Sequence, residues 1–176
     1  MNTFLPFSDF RASASCLDKR RCFKQVVECY QILNVLDGKS TGWKNHPAVR
    51  MWQGYRDCLQ YYYNVFYQYC KTVHGIKFVK LPEPILLPKY INYPIWLGYP
   101  PFHYSMQANL WRKALKEDAL GNQELSTNLV VSGIYLCNLK LNTGYDLNTQ
   151  YLWPVDKNLQ LLPEIKLWYT QKTHHI

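Results

Sequence analysis

Arg21, Lys24, Gln25 and Glu28 have the side-chain types and the spacing for acid–base chemistry beside phosphate. They stand at offsets 0, 3, 4 and 7, so a helix through them sets all four on one face. An acid among several cations is held as its carboxylate, fit to stabilise a cationic transition state or relay a proton, while the cations hold phosphates. The same row also reads as an ordinary solvated face of paired charges. A second cluster, Trp43, Asn45 and His46, sits just before Pro47, where Asn45 or His46 can instead serve as a helix cap. A third is Phe102-His103-Tyr104-Ser105, leading into Asn109, Arg112, Lys113 and Lys116, again at offsets 0, 3, 4 and 7. A helix start that offers backbone N–H groups beside Ser and His makes a phosphate seat.

Three helices are expected to position these groups. Between Asp18 and Leu36, the residues Cys22, Val26, Cys29, Leu33 and Leu36 recur in steps of 4 and 3, and Asp37-Gly38 marks a stop. Their buried stripe lies opposite the Arg21/Glu28 row. The next helix is expected from Asn45-His46-Pro47 to His74-Gly75, with Pro in the first turn and Gly as a left-handed cap. Within it Trp52, Tyr55, Leu59, Tyr62, Phe66, Tyr69 and Val73 form one seam on a rod of roughly 40 Å. Such a seam is core before it is a stacking platform for bases. Six prolines between Leu81 and Pro101 exclude helix and central strand, so this stretch reads as an extended strap. Its apolar Ile85, Leu86, Leu87, Ile95, Trp96 and Leu97 call for burial against the helices. The third helix is placed at about Ser105–Leu120. Beyond it the Val, Ile, Tyr and Leu of Leu129–Leu141, followed by Asn142-Thr143-Gly144, read as a small hairpin, and Glu164–Tyr169 as a strand. The fold class is thus mostly α: a compact single domain over 1–176, with three main helices, a Pro-rich strap and a small C-terminal β-hairpin insertion.

Charge points to a class of partner. Residues 1–60 hold nine Lys/Arg against five Asp/Glu, residues 61–120 seven against three, and residues 121–176 four against four. The whole net charge of +8 therefore lies in the first 120 residues, a balance that favours a polyanion or, more blandly, a solvated face. The six cysteines contain no CxxC pair and are read as reduced structural thiols in an intracellular compartment. His174-His175 lacks a third ligand at suitable spacing, so no metal site and no cofactor are expected. The first ten residues lack the charge and apolar run of a secretory signal, and no stretch is apolar enough to span a membrane. No P-loop, GxGxxG, HExxH or GxSxG occurs, which lowers nucleotide hydrolysis, dinucleotide chemistry and the common hydrolase plans.

Leu17-Asp18-Lys19-Arg20-Arg21, Lys24-Gln25 and Glu28 come first. Gly42-Trp43-Lys44-Asn45-His46-Pro47-Ala48-Val49 follows, with Trp52 and Gly54, and then Phe102-His103-Tyr104-Ser105 with Asn109-Leu110 and Arg112-Lys113. In that order these residues resemble the pyrimidine-dimer DNA glycosylase family, and most closely its bacterial and viral branch. The resemblance covers about 1–118, with Tyr151-Leu152-Trp153-Pro154 in addition, and leaves 125–150 unmatched.

The resemblance implies a helical fold with the N-terminus against the first long helix. It implies a glycosylase that removes ultraviolet pyrimidine dimers, or another altered base, through a Schiff base on its N-terminal amine, with strand cleavage by β-elimination as a following step. Carried over by position, Glu28 matches the catalytic carboxylate. Arg20 and Arg21 fall where a phage member has a Gln-His pair near the lesion, and Tyr55 falls where it has a His. That member exposes a Thr, whereas Thr3 here follows Met1-Asn2. The amine of Met1 or Asn2 is then the nucleophile; in a different chemistry His46 and His103 are the acid–base groups. The expected DNA-binding set is Arg20, Arg21, Lys24, Gln25, Asn45, Tyr55, Ser105, Asn109, Arg112, Lys113 and Lys116. The expected partner is double-stranded DNA, the expected state a monomer, and the expected location the cytoplasm or nucleus of a host, or a virion. Two rival readings are a non-catalytic DNA-binding or packaging protein that keeps the fold, and an RNA-binding module using its tyrosine-rich surface.

Overall fold

The computed structural model describes residues 1–173, so His174-His175 falls outside the described residues. Eight helices follow one another among the described residues: α1 (Phe10–Ser15), α2 (Lys19–Leu36), α3 (Pro47–Arg50), α4 (Arg56–Thr72), α5 (Pro100–Asp118), α6 (Glu124–Val131), α7 (Leu136–Thr143) and α8 (Pro163–Thr173). The mostly helical expectation holds. The hairpin does not: the described residues contain no named strand, only an isolated antiparallel bridge between Val155 and Leu161.

The stretch read as a hairpin is two helical turns on each side of Gly133. Buried Leu125 and Leu129 are four apart on α6, Ile134 and Leu139 are also buried, and the Trp111 indole N–H donates to the Ile134 carbonyl at 3.1 Å. Docking onto α5 overrides the strand preference of Val and Ile. Gly144, which read as a turn, takes φ 74° as the left-handed residue ending α7. Glu164–Tyr169 likewise lies in α8, opened by Pro163 in its first turn.

Helix α2 forms where its stripe requires, with the Asp18 carboxylate accepting from the Arg21 N–H as N-cap at 2.9 Å. The second expected helix is interrupted. His46 caps the four-residue α3, whose Ala48 N–H donates to His46 Nδ1 at 3.1 Å, and the chain turns at Gly54 (φ 82°) before α4 begins. The seam survives the break, because Trp52, Leu59, Tyr62 and Phe66 are all fully buried, while Val73 is exposed. Helix α5 begins five residues earlier than expected, since Pro100 and Pro101 occupy its first turn, where no backbone donor is lost. In the strap only Trp96 of the six apolar side chains is fully buried, edge-on to Trp52 with its indole N–H on the Met51 carbonyl at 3.1 Å. Leu86 is 98% exposed. Five of the six cysteines are buried free thiols and Cys137 is exposed.

The N-terminal segment ahead of α1 is threaded through this helical frame and held by side chains from three helices or their approaches. The Phe4 N–H donates to Gln25 Oε1 at 2.7 Å, and the Tyr62 hydroxyl donates to the same oxygen at 2.7 Å. Trp52 Nε1 donates to Thr3 Oγ1 at 3.0 Å, His103 Nδ1 lies 2.8 Å from the Leu5 carbonyl, and Gln107 Nε2 donates to the Pro6 carbonyl at 2.8 Å. Each partner is buried, and a buried polar group left unpaired costs about 1–3 kcal/mol, so the path of the first six residues is fixed.

His103 gives this frame a pH dependence. The Gly98 N–H donates to its Nε2 at 2.9 Å, so the proton sits on Nδ1 and donates to Leu5. Burial holds its pKa below the ordinary 6.5, opposed by the bond to the Leu5 carbonyl. The unfolded chain therefore binds this proton first, and the stability present above about pH 6.5 is lost as the pH falls below it. Urea midpoints are expected to drop between pH 7 and pH 5, and His103→Gln is expected to flatten that slope. An equally steep slope in the variant would assign the acid sensitivity to other groups.

Candidate active site

The N-terminal segment, the exposed face of α2, the start of α3, α5 and the loop before α8 enclose an open cleft of about 630 Å³. Met1, Asn2, Arg20, Arg21, Lys24, Glu28, His46 and Lys113 line it, together with Phe4, Tyr151 and Trp153. Glu28 is part of this lining and is 8% exposed. One oxygen, Oε1, lies 3.6 Å from the Met1 α-amine and 3.8 Å from Lys24 Nζ. The other, Oε2, accepts from the Asn2 N–H at 3.2 Å and from Gln25 Nε2 at 3.3 Å. Helical spacing produces the second arrangement: Gln25 is three residues before Glu28, so it orients the carboxylate with its amide N–H while its amide oxygen anchors Phe4.

The cationic rim is partly neutralised. Arg21 is held between Asp18 (2.5 Å) and Glu117 (2.6 Å), and the exposed Arg20 also pairs with Glu117. Arg21 keeps Glu117 more acidic than an ordinary glutamate. Lys113 has no such partner among the described residues. Burial, reinforced by Arg21, Arg112, Lys24 and Lys116, holds its pKa below the ordinary lysine value. Cations of α2 and α5 thus converge on one spot where an incoming anion relieves their mutual repulsion. His46 is also held below the ordinary histidine pKa, by burial and then by the charge of the N-terminal amine. Its ring meets Trp43 and Trp153 edge-on, with centroids 5.7 and 6.0 Å away.

Other expected site residues lie elsewhere. Thr3 and Gln25 are buried beneath the cleft as anchors of the N-terminal segment. Asn45 is exposed beyond the lining, and Tyr55 is half-buried against the core at the start of α4. His103 is enclosed in the frame. The phosphate seat proposed at Phe102–Ser105 is closed, because α5 already runs through it: the Phe102 and His103 N–H groups donate to the Tyr99 carbonyl. Ser105 and Asn109 are buried and tie down the later loop, with Ser105 Oγ accepting from the Leu152 N–H at 3.1 Å and Asn109 Nδ2 donating to the Thr149 carbonyl at 3.1 Å. Arg112 pairs with Asn109 and reaches the Leu147 carbonyl at 3.5 Å, while Lys116 stays exposed. These contacts place Tyr151 and Trp153 in the cleft. Both belong to the aromatic run Tyr151–Pro154 that carried part of the resemblance. Glu117 had no readable signal, since its partners lie 96 and 97 residues away.

A cleft that brings an α-amine, a carboxylate and a cationic rim together sits mainly on the N-terminal part of the chain, and that part is similar to a known family. Residues 1–77 match the family model described as pyrimidine dimer DNA glycosylase. The match includes Glu28, Arg20, Arg21, Lys24 and His46, and stops before α5 and the aromatic loop. Over those residues the family resemblance is borne out. No curated protein and no solved structure matches the chain. No helix among the described residues is long and apolar enough to cross a membrane.

Proposed function

We propose that the protein is a DNA glycosylase that removes pyrimidine dimers or another altered base from double-stranded DNA, with the Met1 α-amine as nucleophile and Glu28 as its carboxylate partner. The observation that carries this reading is the 3.6 Å separation of the Met1 amine from Glu28 Oε1 inside the basic cleft. An amine attacks only when neutral. An α-amino group, with an ordinary pKa near 7.7–8.0, is neutral to a useful extent at physiological pH, whereas a lysine near ~10.4 is not.

In the proposed reaction the amine nitrogen bonds to the anomeric carbon as the glycosidic C–N bond breaks and its electron pair leaves with the base, which is then protonated. The positive charge that develops on the sugar faces the Glu28 carboxylate, and that carboxylate is within reach of the proton the amine must lose. Opening of the sugar ring gives a Schiff base. Loss of the neighbouring sugar proton and β-elimination of the 3′ phosphate would then break the strand, and hydrolysis would free the amine. Lys24, Lys113, Arg20 and Arg21 contribute the phosphate contacts. Unstacking costs least at a damaged base, which biases entry into the cleft.

Borohydride tests this directly, because hydride reduces the Schiff base and fixes the protein to DNA. Purified protein is expected to form a covalent adduct with irradiated duplex DNA and little with undamaged duplex. DNA binding without any adduct would favour a non-catalytic protein that keeps the fold.

A further inference from the structure

We infer that the Asn2 side chain reads the hydrogen-bonding edge of the nucleobase admitted to the cleft, an inference that rests on the glycosylase reading of this site. Asn2 lines the cleft next to the proposed nucleophile and is only 8% exposed. Its backbone N–H is committed to Glu28, which fixes where the side chain emerges. Yet its carboxamide is underused: among the described residues neither Oδ1 nor Nδ2 completes a hydrogen bond, although both atoms are buried. A side-chain contact between the Tyr151 hydroxyl and the carboxamide offsets part of the upward pull of burial on the tyrosine pKa, so Tyr151 is the group an incoming base would replace there.

A buried amide with both atoms unpaired is destabilising, and a group kept in that state calls for a reason, of which a partner that arrives with the substrate is the one this cleft offers. The rest of the N-terminal segment shows the contrast. Thr3 Oγ1 and the backbone groups of Phe4, Leu5 and Pro6 all have partners. The chemistry missing at Asn2 is one acceptor for Nδ2 and one donor for Oδ1, side by side. A pyrimidine edge carries that pair, a carbonyl oxygen next to an imide N–H, and a carboxamide meets it with two parallel hydrogen bonds. Tyr151 belongs to the non-helical stretch between α7 and α8, so its ring can yield to an incoming base without unwinding a helix. Cations on the rim hold phosphates of any sequence; Asn2 supplies contact with the base itself.

The test separates stability from recognition. Asn2→Leu, close in size and without polar atoms, is expected to raise the melting temperature by about 2–8 °C, since it removes two unpaired buried groups. Binding is read in a Glu28→Gln background, so that turnover does not intervene. There, Asn2→Leu and Asn2→Ala are each expected to lower the affinity ratio of irradiated to undamaged duplex by about 5- to 100-fold, leaving undamaged-duplex affinity within about twofold. An unchanged ratio in both variants overturns the inference while leaving the glycosylase reading intact. A lowered melting temperature for Asn2→Leu also overturns it, by showing that the carboxamide is structural. A Glu28→Gln protein with no preference for irradiated duplex sinks the reading of the site and this inference with it.

Discussion

Glu28→Gln is expected to lower excision from irradiated duplex DNA by about 10²–10⁴-fold, the range typical of losing a positioned acid–base group. The substitution removes charge with little change of shape. A glutamine oxygen still accepts from the Asn2 N–H, so the N-terminal segment keeps its anchor, while the amine loses its proton acceptor and the developing sugar cation loses its counter-charge. Single-turnover rates on a site-specific lesion would show the loss, and the melting temperature should stay within a few degrees of wild type. Removing a negative charge from the floor of a basic cleft should tighten binding to undamaged duplex, because fewer like charges oppose the phosphates. Full activity in Glu28→Gln would end the case for this carboxylate.

Blocking the N-terminal amine is expected to have a second effect of comparable size. Acetylation converts the amine to an amide without a nucleophilic lone pair, so borohydride adducts should vanish and excision should fall to background. The fold should survive, since the first six residues are held by Gln25, Trp52, Tyr62, His103 and Gln107 and none of these bonds uses the amine. Measured in parallel, DNA affinity should change little, because the proposed phosphate contacts lie on α2 and α5. An acetylated protein that still forms adducts would point to a lysine instead, with Lys24 and Lys113 as the cleft's candidates. Retained excision with no adduct in either form would point to hydrolysis without a covalent step. His46 would then be the cleft residue to test, since His103 is enclosed in the frame.

The sequence alone settled the parts of this protein that depend on local spacing. A 3.6-residue period sets Glu28 on the same face as Arg21 and Lys24, so the acid among cations on α2 was legible, as were most of the buried aromatic seam and the non-helical Pro-rich strap as far as Tyr99, though not the helix that Pro100 and Pro101 open. The ordered motifs around Glu28 and His46 pointed to the family that residues 1–77 match. Local spacing misled where tertiary docking outweighed propensity: Val- and Ile-rich turns became α6 and α7 once Leu125, Leu129 and Ile134 were buried near α5.

What only the tertiary structure decided is which polar residues line the cleft and which hold it up. His103, Ser105 and Asn109 have side chains suited to chemistry, and all three are spent on backbone groups more than 35 residues distant, at Leu5, Leu152 and Thr149. Tyr151 and Trp153 gained a place in the cleft through those same bonds. Helical periodicity reports which neighbours share a face, because it is a property of one backbone. A hydrogen bond between segments far apart in the chain leaves no periodic trace, so the choice between scaffold and site waits for the fold.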